Sequence, residues 1–429
     1  MEQLVERFDD VLPESGVPDE RAVDELSANV DDGLVVTNGG RYFGFVEGGV
    51  LPAALAADWL TSTWDQNAAF HALSPAAAAV EEVCRRWLVD LLGLPASASV
   101  GFTSGAQMAN LIGLAAARHH LLAQCGWDVE RRGLSGAPTL TVLASQSRHA
   151  TIDRALRLLG LGTSALSAVP TDDQGRMRPR ELAQALDAHR GLDRPLLVCA
   201  QVGNVNSGAC DPVGEISRMA HAAGAWVHVD GAFGLWAAAA PSLQHLVPGV
   251  GAADSWAVDA HKWLNVPYDS GIAFCAHPDA HRAAMTLSAD YLTTTGHRDG
   301  ADWTPESSRR ARAFATWAAL RSLGRTGIAE MVERSCRSAR RFATNLSRLP
   351  GVEVLNDVVL NQVLVRVEDS DDTTGQVATL VQADGMTWLG TTVWRGRTAL
   401  RISVSDHATR EADVDTATAA IAQAVQAAR

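Results

Sequence analysis

The sequence predicts an α/β protein, with a large domain on a mostly parallel sheet and a smaller α+β domain behind it. Three observations carry this. Between about residues 76 and 275, helical patterns alternate with short apolar runs, as expected for strands joined by crossover helices that cover both faces of a sheet. Beyond about residue 309 the order changes to a long helical stretch, four strand patterns and an Ala-rich helix. The 429 residues, 47% hydrophobic and 20% charged, suffice for one large core or two smaller ones.

Each element has its own signal. "AAVEEVCRRWLVDLLGL" and "AQMANLIGLAAARHHLLAQC" repeat apolar residues at helical spacing, whereas "TLTVLAS", "PLLVCAQ", "WVHVD", "SWAVDA" and "GIAFCA" are short runs that read as strands. The polar stretch 293–308, "TTTGHRDGADWTPESS", reads as a long loop, a kind of segment more often functional than idle. Helix is expected over 309–348, then strands at "VEVLND", "QVLVRV", "TTVWRG" and "LRISVS". This divides the chain into an N-terminal segment (1–75), a large domain (76–308) and a small domain (309–429). There is no internal repeat and no low-complexity linker.

Charge and composition narrow the function. A net charge of −13 repels phosphate backbones and anionic lipid, so neither nucleic acid nor a membrane surface is expected as a partner. The start, "MEQLVERFDD", is acidic and lacks the pattern of a secretion signal. No apolar run reaches the roughly 18 to 20 residues that span a bilayer. Six cysteines are scattered without a CxxC pair, which fits buried thiols in a reducing cytoplasm better than a metal site or a disulfide frame.

The chemistry gathers on the only lysine, Lys262, in "VDAHKWLNVPYDSG". Every other long basic side chain is arginine, so the amine stands where a guanidinium may not serve, and an amine can become a nucleophile. A solvated surface charge is the plainer alternative. Asp230 ends the strand "WVHVD" before small residues that would let a flat ring approach, although an Asp there could equally cap the turn. Together the two residues say more. Two strand ends on one sheet edge would place a carboxylate to keep a ring nitrogen protonated and an amine to form a Schiff base, the arrangement that pyridoxal phosphate (PLP) requires. Ser104, Gly105, Ala106 and Gln107 open a helix whose N-terminal amides could bind the phosphate, unless they form only a cap. His149 follows a strand and could lie over the cofactor ring, or cap the next helix. His261 could serve the phosphate or the Schiff base, or be satisfied in the core.

The ordered set resembles the fold-type I PLP enzymes, specifically the group II amino-acid decarboxylases of the aromatic-amino-acid and glutamate decarboxylase kind. The resemblance runs over roughly residues 40–425: "RYFGFV", "LSPAAAAVEEVCRRWLVDLLGLP", "TSGAQMANL", the His149 segment, "GACDPVGEI", "HVDGAFG", "DAHKWLNVPYDSG", "LNQVLVRV" and "LRISVSDHATREADVD". It implies an aspartate-aminotransferase-like fold with a seven-stranded sheet, and a homodimer with shared active sites whose N-terminal segment packs on the partner. It also implies Lys262 as the Schiff-base lysine, Asp230 as the ring-nitrogen partner, His149 as the stacking histidine and Ala232 beneath the ring. Arg401 corresponds to an arginine that can face the substrate carboxylate, or to a salt bridge. Asn67 and His71, in "STWDQNAAFHALSP", fall where relatives line the side-chain pocket, or are polar residues facing water.

Two departures stand out. Where many relatives read Gly-Thr-Thr, this chain has Asn204, Val205 and Asn206. The loop tyrosine that protonates the carbanion in related decarboxylases is missing: Gly300 stands near its place, and the three tyrosines are Tyr42, Tyr268 and Tyr291. His297, Asp302 or a water would then deliver the proton. The expected activity is PLP-dependent decarboxylation of an L-amino acid through a quinonoid, with no metal. The alternatives are another PLP reaction at Cα (carbon-carbon bond cleavage or formation, transamination or oxidative deamination) and a binding protein that has lost catalysis.

Overall fold

The computed structural model describes residues 2–8, 11–192, 194–287 and 296–429. Tyr291 and residues 293–295 of the expected loop lie outside the described residues.

The large sheet has the seven strands that the resemblance implies: β1 (Ser99–Thr103), β2 (Thr141–Ser145), β3 (Leu166–Val169), β4 (Leu196–Gln201), β5 (Trp226–Asp230), β6 (Ser255–Asp259) and β7 (Gly271–Cys275). Their order is β1-β7-β6-β5-β4-β2-β3. Strands β3, β2, β4, β5 and β6 are parallel, and β7 runs antiparallel to both β6 and β1. Helices on both faces bury every residue of β1, β2 and β4–β7, which is why these strands read as apolar runs without alternation. β1 and β3 were not among the sequence signals. β1 carries Ser99 and Gly101, and β3 is an edge strand whose middle residues are exposed.

The parallel arrangement positions the chemistry. Gln201, Asp230 and Asp259 end adjacent strands β4, β5 and β6, so three polar side chains meet at one edge of the sheet. The chain then turns back into β7. The amides of Ala260 and His261 both donate to the Ser270 carbonyl, and Asn265 takes a left-handed conformation (φ 56°). Lys262 sits within this turn. Beneath it, the indole of the fully buried Trp236 donates to the Asp259 carbonyl at 2.9 Å. The ring fills the core while its one polar atom stays satisfied.

The second sheet is antiparallel, in the order β10 (Gly390–Trp394), β11 (Arg397–Ser403), β9 (Gln362–Val367), β8 (Val352–Val354). All four match the strand patterns of the tail. The helix Ala313–Leu346 serves both cores: Ala315, Ala319 and Leu320 pack in the large one and Ala339, Phe342 and Leu346 in the small one. Between them the helical geometry breaks at Gly324. Phe43 also packs in the small core, and its amide and carbonyl bond to Trp388 and Ser403. The early segment is thereby laid along the second sheet. Among the described residues no helix is long and apolar enough to cross a membrane, and no cysteine is in a disulfide.

Candidate active site

Asp259 is the hub of the site, and the sequence reading did not single it out. Its Oδ2 lies 3.2 Å from Lys262 Nζ, and its Oδ1 lies 3.4 Å from His261 Nε2 and accepts the Ala106 amide at 2.5 Å. The signal was available, since Asp259 ends "SWAVD" just as Asp230 ends "WVHVD". A carboxylate here fixes the lysine turn against the N-terminus of the helix Ala106–Gln124, and the Lys262 ammonium offsets its charge.

Asp230 is buried at the end of β5. Its Oδ1 accepts the Ala232 amide at 3.2 Å, and its Oδ2 lies 3.5 Å from the Thr151 hydroxyl. That hydroxyl is also 2.9 Å from His149 Nδ1, so Thr151, a residue missed from sequence, stands between the carboxylate and the imidazole and can give its one proton to either. His149 caps the helix Ala150–Leu158, its Nδ1 accepting the Thr151 amide at 3.3 Å. A ring that accepts at Nδ1 carries its proton on Nε2 when neutral. Burial lowers the His149 pKa, the Asp230 charge opposes this, and the Lys262 and Arg401 charges reinforce it. The neutral form therefore prevails at neutral pH.

Arg401, on β11, completes the group. Its Nη1 lies 3.5 Å from the Val205 carbonyl, its charge is felt at His149, and burial lowers its pKa. Asn204 uses its polar atoms locally: its amide donates to the Ser147 carbonyl at 3.0 Å, and its oxygen accepts the Asn206 and Ser207 amides. It joins the loop after β4 to the loop that carries His149. Asn265 is another residue missed from sequence. Its oxygen accepts the Gly49 and His407 amides and its nitrogen donates to the Trp263 and Ser405 carbonyls, tying the lysine turn to the early segment and the small domain.

The sequence also proposed Asn67, His71 and His297, and these form a separate cluster. The rings of His71 and His297 lie 4.3 Å apart, and the His71 amide donates to Asp299. The Asn67 oxygen accepts the Ala69 and Arg309 amides. Among the described residues, neither Asn67 nor His297 has a hydrogen bond or ion pair to the Lys262 group. Arg309 links the two regions through its 2.7 Å bond to the Phe102 carbonyl on β1.

The structure corrects one expectation about the loop. Gly300, read as standing in the proton donor's place, is buried in a short 3-10 turn (Gly300–Asp302), where a Cβ would collide with the Arg309 guanidinium and the Ala68 carbonyl. Arg309 is itself buried and pairs with buried Glu81 at 2.6 Å. Gly300→Tyr should therefore not install a donor. It should overpack the turn and part the ion pair, costing roughly 3 kcal/mol or more. Thermal unfolding checks this. An unchanged Tm together with increased amine formation would restore the donor reading.

The residues fit PLP. Lys262 would be available to an aldehyde and Asp230 to a ring nitrogen, with the Ala232 amide bonded to Asp230 and His149 next to it across Thr151. At the phosphate end, a Cβ on Gly105 would stand 3.2 Å from the His261 ring and 3.4 Å from Asp259, so the cradle leaves no room for a side chain. The side-chain oxygen of Gln107 is buried without a partner there, while its nitrogen donates to the Thr151 carbonyl. Among the described residues no group of three or more His, Cys, Asp or Glu could hold a metal.

Fold and site together define the class: a PLP-dependent enzyme of the two-domain, seven-stranded kind. The pyridoxal-dependent decarboxylase conserved domain matches residues 2–368, and the chain belongs to that family. It is 29% identical to human acidic amino acid decarboxylase GADL1, over 82% of this chain and 68% of that protein. It is 28% identical to 4-hydroxyphenylacetaldehyde synthase of Rhodiola rosea, over 79% of this chain and 70% of that one. The crystal structure of Oryza sativa TDC with PLP and tryptamine superposes with a TM-score of 0.92 at 25% identity, covering 99% of this chain and 91% of that one.

Proposed function

We propose that this enzyme removes the carboxylate of an L-amino acid, acting as a cytoplasmic homodimer with shared active sites. The observation that carries the reading is the meeting of Lys262, Asp230, His149 and Arg401 at one edge of the sheet. Bound PLP supplies an aldehyde that captures amines and a protonated ring that accepts the electrons left when carbon dioxide departs. The chain's own groups do the rest. Lys262 holds and releases the aldehyde carbon, Asp230 keeps the proton on the ring nitrogen, and Arg401 and the His149 Nε2-H orient the substrate carboxylate. Burial strengthens each of these interactions.

Dimerisation is supported by aromatic surface left open on the single chain. Trp59 and Trp64, on one helix, are 65% and 51% exposed, and exposed aromatic surface of this kind marks an interface. In such a dimer, segment 1–75 would pack on the partner, and the His71–His297 cluster of one subunit would face the partner's lysine. His297 would then be the proton donor.

The buried Gly300 favours a second reading. Without a loop phenol to deliver a proton, the substrate's electrons would pass to dioxygen, so that amino acid, dioxygen and water would give aldehyde, ammonia, carbon dioxide and hydrogen peroxide; one relative is named an aldehyde synthase. The test is to incubate the PLP-loaded protein with each common amino acid and identify gas and products by mass spectrometry. Amine with carbon dioxide supports the first reading, and aldehyde with peroxide the second. Absence of carbon dioxide throughout sinks both.

A further inference from the structure

Between the early segment and the lysine turn lies a carboxylate that neither the cofactor nor the decarboxylation step uses. Segment 44–49 lies against the backbone of the turn: a Cβ at Gly48 would collide with the Lys262 carbonyl, and the Gly49 amide donates to Asn265 Oδ1 at 2.7 Å. Phe45 and Val46 precede it with φ of 47° and 63°. A β-branched residue in the left-handed region is rare and strained, and such strain collects at ligand sites. What this bend delivers to the lysine turn is Glu47.

Glu47 is half-buried, and its carboxylate has no hydrogen-bond or ion-pair partner among the described residues. Its neighbours are phenols. Burial first, and then the Glu47 charge, push the pKa of Tyr42 up to about 12, and that charge adds to the upward shift that burial gives Tyr268. Tyr268 stacks on His261 at 4.3 Å, with the rings 30° apart, so one of the phenols that feels the Glu47 charge lies against the lysine turn. Tyr42 stacks on Trp388 at 4.9 Å, and Phe45 on the other side of the bend stacks on the same indole. Tyr42, Phe45 and Trp388 thus stack together beside a segment whose Glu47 carboxylate is unpaired among the described residues. Burial raises the Glu47 pKa, as expected of a carboxylate that lacks a cation.

We propose that Glu47 selects the substrate's side chain, and that the preferred substrate is an amino acid whose side chain ends in an ammonium or guanidinium group. This rests on the decarboxylase reading and adds the substrate class to it. Arg401 takes the α-carboxylate, Glu47 takes the distal cation, and the phenols and indole flank its methylene stem, as aromatic faces do for cations. An acidic side chain is turned away by like charge.

The test uses the PLP-loaded protein and two independent readouts. Substrate binding is followed by the change in the cofactor's visible absorbance, and turnover by carbon dioxide release, each for lysine, ornithine, arginine, norleucine and glutamate. Wild type should bind a cationic amino acid at least about 10²-fold more tightly than norleucine, and glutamate more weakly still. Glu47→Gln, which keeps the shape, should lose most of that preference, with the change in KM rather than kcat. Glu47→Lys should improve glutamate relative to lysine. A wild type that prefers glutamate or norleucine, or a Glu47→Gln protein with unchanged ratios, overturns the assignment. Selective binding without carbon dioxide would leave the Glu47 assignment standing and refute the decarboxylase reading.

Discussion

Lys262→Ala should end covalent capture of the cofactor. Wild-type protein treated with borohydride should carry the pyridoxyl group on the peptide spanning Lys262, and the variant should carry none at any side chain, because no other lysine exists in the chain. Turnover should fall to background, since no neighbouring group can replace the nucleophilic amine. The variant should also hold PLP more weakly. Removing the ammonium 3.2 Å from Asp259 leaves that carboxylate without a cation, since burial lowers the pKa of His261 and keeps it neutral, next to where the phosphate must sit. A wild-type label found at the N-terminus and absent from Lys262 would refute the site as described.

Replacing Asp230 separates holding the cofactor from using it. Asp230→Asn keeps the shape and can still accept from the Ala232 amide, yet it cannot stabilise a positive charge on a ring nitrogen. The kcat should fall by about 10²-fold or more, while cofactor retention, read from visible absorbance after gel filtration, changes little because the cradle at Ser104–Gln107 is untouched. Asp230→Ala should lose activity equally and additionally loosen the Ala232 and Thr151 contacts. Near-full activity in the Asn variant would remove Asp230 from the chemistry.

How legible the site was depended on what kind of interaction places each residue. Lys262 and Asp230 could be read directly, because each follows a strand signal and strand ends of a parallel sheet share an edge; the helix that opens at Ala106 could be read from its own pattern, since β1 before it gives no strand signal. Asp259 obeyed the same rule and was passed over beside the lysine. Thr151 and Asn265 could not have been found this way. Their importance lies in bonds to residues 79 and 216 positions away in the chain, Asp230 and Gly49, and a hydroxyl or amide in a turn carries no periodic signal. Glu47 gave no sign either, since only the left-handed bend at Phe45 and Val46 brings it against the lysine turn.

Gly300 shows a property that spacing leaves out. Counting along the loop placed it where relatives carry a phenol, but residue spacing does not report depth, and Arg309 with Glu81 draws this turn inward. By itself the sequence determined the alternating strand-helix order, the one amine and the carboxylate at the end of β5, because local pattern and topology suffice to bring those to one edge. Only the tertiary structure decided which further groups face that edge, that Asp259 holds the lysine, that Gly300 is walled in, and that Glu47 stands without a hydrogen-bond or ion-pair partner among the described residues. Each of these depends on contacts between distant segments, and burial and pairing are properties of those contacts rather than of the residues that make them.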